Sequence, residues 1–286
     1  MKRVWLLSVL CMSLALAFLG CSGSGSSGSG GSADDDSADD GSSWSAMASG
    51  TKAGLNGVWG TSHSDVFAVG SLDNGGSWTG VILHYDGSAW SAMNSGTSKF
   101  LQAVWGSSAT DVFAVGDSGT ILHYDGSSWS AMTSPDNDCT FMGVWGSSAT
   151  DVFAVDYFCR VYHYDGSSWS KMSGTALQLY AVWGTSHSDV FAVGDSGTIL
   201  HYDGSSWSPM TSPKTDSLYG LWGSAATDVF AVGGFETTRA VILHYDGSSW
   251  SAMTSGTMKA LEAVWGSSAT DVFAVGVNGT ILHYGD

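Results

Sequence analysis

Six His-Tyr pairs punctuate this chain, with the histidines at His84, His123, His163, His201, His244 and His283. Upstream of each stands an aspartate that opens a "DVFAV" segment: Asp65, Asp111, Asp151, Asp189, Asp228 and Asp271. An imidazole near a carboxylate can relay a proton, hold a metal ion or close a hydrogen bond in a folded core. Here the pair is copied once per repeat unit, so the copies lie too far apart to share an ion. The expectation is a structural His–Asp or His–Ser hydrogen bond in every unit, with no metal and no cofactor.

Other reactive chemistry is sparse. Glu236 and Glu262 form the only acidic pair worth weighing, and no nucleophile, base and orienting group come together in a motif. The chain therefore reads as a non-enzyme. Of its four cysteines, Cys139 and Cys159 fall within the repeats.

The elements that position these residues follow from self-similarity. "VWG" or "LWG" occurs six times, with Trp59, Trp105, Trp145, Trp183, Trp222 and Trp265 spaced 38 to 46 residues apart. "WSxM" also occurs six times, at Trp44, Trp90, Trp129, Trp169, Trp207 and Trp250. Each unit holds four short β signals. In residues 101–132 they are "LQAVWG", "DVFAVG", "GTILHY" and "SSWSAM". The second is almost continuously apolar, as expected of a strand covered on both faces. Asp125-Gly126 predicts a two-residue type I′ turn between the third and fourth.

Four strands per unit of about 40 residues, repeated radially, specify an all-β, six-bladed β-propeller over residues 42–286. The last copy stops at "TILHYGD", and its missing "SSWSAM" stands at residues 42–47. The N-terminal strand is thus expected to complete the last blade and close the ring, removing exposed strand edges. The twelve repeated tryptophans are expected to pack blade on blade.

These repeats resemble the bacterial propeller repeats related to the kelch, BNR and photosystem II assembly-factor groups. The likeness covers residues 42–286 and lies in the blade pattern. The Asp-box of BNR repeats is not intact, because Asp125 and Gly126 are adjacent. The Gly-Gly pair of kelch strands appears only sporadically, as at Gly233-Gly234. The resemblance implies that the His–Asp bonds parallel the polar tetrads of WD-repeat propellers. Sialidase-like propellers use three arginines on a substrate carboxylate. Beyond Arg3 this chain has only Arg160 and Arg239, so that site cannot be built.

Blade geometry sorts the loops onto two faces. The 1–2 and 3–4 turns share a bottom face and barely vary, as in "WGSSATD" and "HYDGSSW". The 2–3 turns and inter-blade links share a top face and differ in every blade. Blade-specific residues are the functional candidates, since sites are grafted onto scaffolds. One variable position per first strand, Asn56, Gln102, Met142, Tyr180, Tyr219 and Glu262, should ring the upper mouth of the central channel. Top-loop candidates are Trp78, Tyr157, Phe158, Arg160, Phe235, Glu236 and Arg239. Polar and aromatic groups converging there suit a glycan or a protein ligand. The alternatives are a scaffold or assembly factor in an envelope complex and, less well supported, a glycan-active hydrolase or lyase. Cys139 and Cys159 both fall on the top of the third blade, where a disulfide closing a loop of about 20 residues would contribute roughly 3 kcal/mol through loop-closure entropy.

The leader sets the compartment. Residues 1–20 pair basic Lys2 and Arg3 with an apolar run, the layout of a signal peptide. Gly20-Cys21 resembles a bacterial lipobox, which implies acylation of Cys21 and a membrane anchor; Ser22 after it resembles an outer-membrane sorting context. Residues 21–41 form a Gly/Ser/Asp tether with a reach of about 25 Å. Its exit on the bottom face would turn the top away from the membrane. The chain is accordingly expected to be an exported, monomeric outer-membrane lipoprotein, facing the periplasm or the cell surface. Net charge is −17, which argues against nucleic acid as a partner.

Overall fold

A computed structural model describes residues 47–158, 160–172, 178–235 and 239–285. The leader, Cys21, the tether and most of the expected closing strand lie outside the described residues. The chain is a six-bladed β-propeller of antiparallel sheets, with strands paired in sequence order within each blade. The first blade is β1 (Gly54–Ser62), β2 (Asp65–Asp73), β3 (Trp78–Tyr85) and β4 (Trp90–Met93). The second is β5 (Leu101–Ser108), β6 (Asp111–Gly116), β7 (Ile121–Tyr124) and β8 (Trp129–Ala131). The third is β9 (Phe141–Ser148), β10 (Asp151–Asp156), β11 (Val161–Tyr164) and β12 (Trp169–Lys171). The fourth is β13 (Leu179–Ser186), β14 (Asp189–Gly194), β15 (Ile199–Tyr202) and β16 (Trp207–Pro209). The fifth is β17 (Leu218–Ala225), β18 (Asp228–Phe235), β19 (Arg239–Tyr245) and β20 (Trp250–Met253). The last contributes β21 (Leu261–Ser268), β22 (Asp271–Gly276) and β23 (Thr280–Tyr284) among the described residues.

The apolar run of each second strand has a direct cause. Side chains alternate between the two faces of a strand. Val112 and Ala114 of β6 join a core shared with the first blade, while Phe113 and Val115 join one shared with the third. Both faces are covered, so the run from Val112 to Val115 is apolar throughout. Five such clusters, one per junction, hold consecutive blades together. In the first five blades the tryptophan of the first strand lies over the glycine of the next blade's "WG". A Cβ on Gly146 would come within 2.6 Å of the Trp105 ring, so only glycine fits.

At the sixth junction, between the last and first blades, this packing is not made among the described residues. Trp265 is 60% exposed and Val58 69% exposed, and no tryptophan lies over Gly60.

Two turn expectations are corrected. Asp125-Gly126 is not a type I′ turn: only Gly126 has positive φ, at 88°. Residues 125–128 instead form a four-residue loop held by the Asp125 carboxylate, which accepts the Ser127 hydroxyl and the N–H groups of Ser127 and Ser128 at 2.7–2.9 Å. Consecutive positive φ values occur in the top turns Ser118-Gly119, Ser196-Gly197 and Asn278-Gly279. The long 2–3 segment of the first blade is also mostly not loop. β2 and β3 continue in register as far as Asp73 opposite Trp78, which places Trp78 on a strand.

Candidate functional site

All six variable first-strand residues share one local device. In β13, Leu179 pairs with Gly194 and Ala181 with Val193, which leaves Tyr180 as the extra residue of a β-bulge. The same shift isolates Asn56, Gln102, Met142, Tyr219 and Glu262 in β1, β5, β9, β17 and β21. A bulge re-aims a side chain and frees it from the ladder. First strands of consecutive blades pack on one another, so these six residues lie at the upper end of the innermost strands.

Two of these positions are joined by an aromatic contact, which rings of a neighbouring turn extend. Tyr180 and Tyr219 lie with ring centroids 5.3 Å apart, and Tyr157 lies 6.4 Å from Tyr180. Phe158 meets Tyr157 edge-on at 5.6 Å. The result is an aromatic run from the 2–3 turn of the third blade across the fourth to the fifth. The Tyr180 hydroxyl donates to Gln178 Oε1 at 2.9 Å. On the opposite side the mouth is polar. Asn56 Nδ2 donates to the Leu101 carbonyl at 2.8 Å, and Gln102 Nε2 to Asp117 Oδ1 at 3.2 Å. Crowding by protein atoms raises the carboxyls of Asp117 and Glu262 above the ordinary carboxylate range.

Other top-face candidates are drawn into the scaffold. Arg160 pairs with Asp136 and, at 2.9 Å, with the fully buried Asp156, whose carboxyl is raised chiefly by burial. Arg239 is paired with Asp216 at 3.1 Å. Trp78 packs on Phe100 with centroids 4.3 Å apart. Phe235 ends β18 as an exposed ring, and Glu236 lies outside the described residues. Cys139 is buried and its thiol donates to the Asp136 carbonyl; burial pushes its pKa up to about 12. Its expected partner Cys159 lies outside the described residues.

On the bottom face the expected His–Asp bond is present in all six blades, Nε2 to Oδ1 at 2.6–2.8 Å. A serine or threonine hydroxyl binds the other carboxylate oxygen, as Ser147 does at Asp151. Sequence reasoning missed one residue here. His187, in the 1–2 turn of the fourth blade, reaches back to the third and places Nδ1 2.6 Å from Asp151 Oδ1. The signal was visible as "SHSD" in place of "SATD", one of two forms of a turn that barely varies.

No protein-family model and no curated protein matches the chain. Solved structures of similar fold include YCF48 bound to D1 peptide, with a TM-score of 0.61 and 15% identity over 82% of this chain and 93% of that one. The computationally designed Ika8 protein gives a TM-score of 0.63 and 13% identity over 82% of this chain and 71% of that one. The Cps50 (Swd1) β-propeller domain of Myceliophteria thermophila gives 0.59 and 9% over 80% and 82%. At these identities the likeness establishes the fold, and the chain is a β-propeller repeat protein.

Proposed function

We propose that this chain is a non-catalytic binding module that takes a protein ligand at the upper mouth of its channel. The observation that carries the reading is the run Tyr157–Tyr180–Tyr219, two of whose members stand on β-bulges. Aromatic rings give large contact area at low entropic cost and are enriched where proteins meet. Asp117 and Glu262, elsewhere on the same mouth, favour a segment that brings basic and aromatic side chains together. A propeller of similar fold is known with a peptide bound, which is compatible with this choice over a glycan. In this reading the chain is exported and anchored through Cys21 to the outer membrane, with the top face turned outward.

The test is binding of the purified chain to a peptide array and a glycan array, with a Tyr180→Ala/Tyr219→Ala variant alongside. Peptide binding lost in the variant supports the reading. Binding to glycans alone would move the ligand class, and peptide binding unchanged in the variant would move the site.

A further inference from the structure

We propose that Asp151, His163 and His187 form a transition-metal site, of the class that takes zinc, across the bottom of the junction between the third and fourth blades. Nε2 of His163 and Nδ1 of His187 both lie 2.6 Å from Asp151 Oδ1, and the three ligand atoms fall within 4.8 Å of one another. Two imidazole nitrogens and one carboxylate oxygen are a donor set suited to Zn²⁺.

The other blades serve as internal controls. In five of them the His–Asp bond forms at 2.7–2.8 Å without a second imidazole beside it. The position of His187 is Ala109, Ala149, Ala226 and Ala269 in four other bottom turns and His63 in the first blade, which among the described residues does not reach the Asp271–His283 pair of the last blade. His187 is thus surplus to what the scaffold needs.

Its surroundings are those of a built site. Phe153 lies under both rings, at 4.6 Å from His163 and 6.1 Å from His187, and the Tyr202 ring meets His187 edge-on at 5.9 Å. Ser147 holds the second oxygen of Asp151 and so fixes the carboxylate, as partners of metal ligands do. Asp151 and His163 are largely covered, whereas the His187 side chain is 52% exposed, which leaves a fourth position open to water. Without metal, both imidazoles donate an N–H to the same oxygen. With metal, each neutral ring carries its proton on the other nitrogen and offers a lone pair. Metal–ligand bonds of about 2.0–2.1 Å require ligand atoms roughly 3.3 Å apart. The exposed turn carrying His187 can supply that movement.

The experiment is calorimetric titration of ZnCl₂ into the full-length chain, purified in detergent without a polyhistidine tag and stripped with chelator. His187→Ala should lower the stoichiometry by one zinc per chain and leave the melting temperature of the zinc-free protein unchanged, since alanine already occupies this turn in four blades. Ala226→His should raise the stoichiometry by one, because it sets an imidazole against the Asp189–His201 pair of the fourth blade. Identical stoichiometry in His187→Ala and the parent, or no zinc-dependent heat at millimolar zinc, would overturn the proposal.

Discussion

Tyr180 and Tyr219 sit on successive blades with their rings 5.3 Å apart, each the extra residue of a β-bulge. The residue before Tyr180 is Leu179, which is fully buried in the core between the third and fourth blades. Adjacent side chains in one strand thus have separate duties. Leu179→Ala should cost about 2–5 kcal/mol, the range for a large-to-small change in a packed core. Tyr180→Ala should cost under about 1 kcal/mol, as expected away from a core. Urea unfolding of the two variants measures the difference. Equal losses would make Tyr180 a packing residue and remove the basis for a site at the mouth.

The carboxylates of Asp86, Asp125, Asp165, Asp203 and Asp246 each close a bottom-face loop. The serine hydroxyl two residues on and the backbone N–H groups beside it lower each pKa from 3.8 to about 2. A carboxyl depressed by folding adds stability above its unfolded pKa and loses it as pH falls through the folded value. Stability should therefore be flat above pH 4 with respect to these groups and fall between pH 4 and 2. NMR titration of the aspartate carboxyls checks it: five midpoints near 3.8 would show that the loops do not hold their carboxylates.

Arg160 and Arg239 look equivalent as the arginines of the top face, but burial separates them. Arg160 neutralises the fully buried Asp156, whereas the Arg239 side chain is mostly exposed over Asp216. Arg160→Ala leaves a carboxylate in a low-dielectric site and should cost about 3–5 kcal/mol. Arg239→Ala should cost about 0–1 kcal/mol. Asp156 already has a raised pKa, so acid protonates it early. Part of the Arg160→Ala loss should thus return as the pH is lowered, which denaturation at several pH values would detect. A loss independent of pH would mean that the arginine acts by packing alone.

The architecture was legible because periodicity reports covered faces. "DVFAV" has no polar position between Val and Val, and both faces of the second strand are indeed buried. The position of the six mouth residues was legible from their variability, but their bulge was not. A bulge adds one residue to a strand without changing its composition, so Tyr180 in "LQLYAVWG" reads as another strand residue. Side-chain capture of a turn was hidden for a related reason. Asp-Gly is a signal for type I′, and only the hydrogen bonds from Ser127 and Ser128 to Asp125 distinguish the loop that forms. The "SHSD" turn marks His187 but not its role, because its partner belongs to another blade and nothing local names it.

The sixth junction yields the last prediction. At three junctions the tryptophan of a fourth strand donates its indole N–H to a methionine sulfur of the preceding blade. Trp129 meets Met93, Trp207 meets Met172 and Trp250 meets Met210, all at 3.4 Å. Each ring also stands edge-on to a phenylalanine of that preceding blade, as Trp250 does to Phe191 at 6.2 Å, and packs on a tyrosine of its own, as on Tyr245 at 5.3 Å. In the last blade the corresponding partners are Phe230, Met253 and Tyr284, and they line an apolar pocket. The one copy of "SSWSAM" not accounted for is at residues 42–47. Trp44 is therefore expected to fill this pocket as part of the fourth strand, and closure would bring Trp265 over Gly60. Trp44→Ala should then cost about as much as Trp250→Ala, in the range of 3–5 kcal/mol for a buried tryptophan. If urea unfolding shows a large loss for Trp250→Ala and none for Trp44→Ala, residues 42–47 do not complete the last blade. The apolar faces at Val58 and Trp265 must then be covered by something other than this chain's own N-terminal segment.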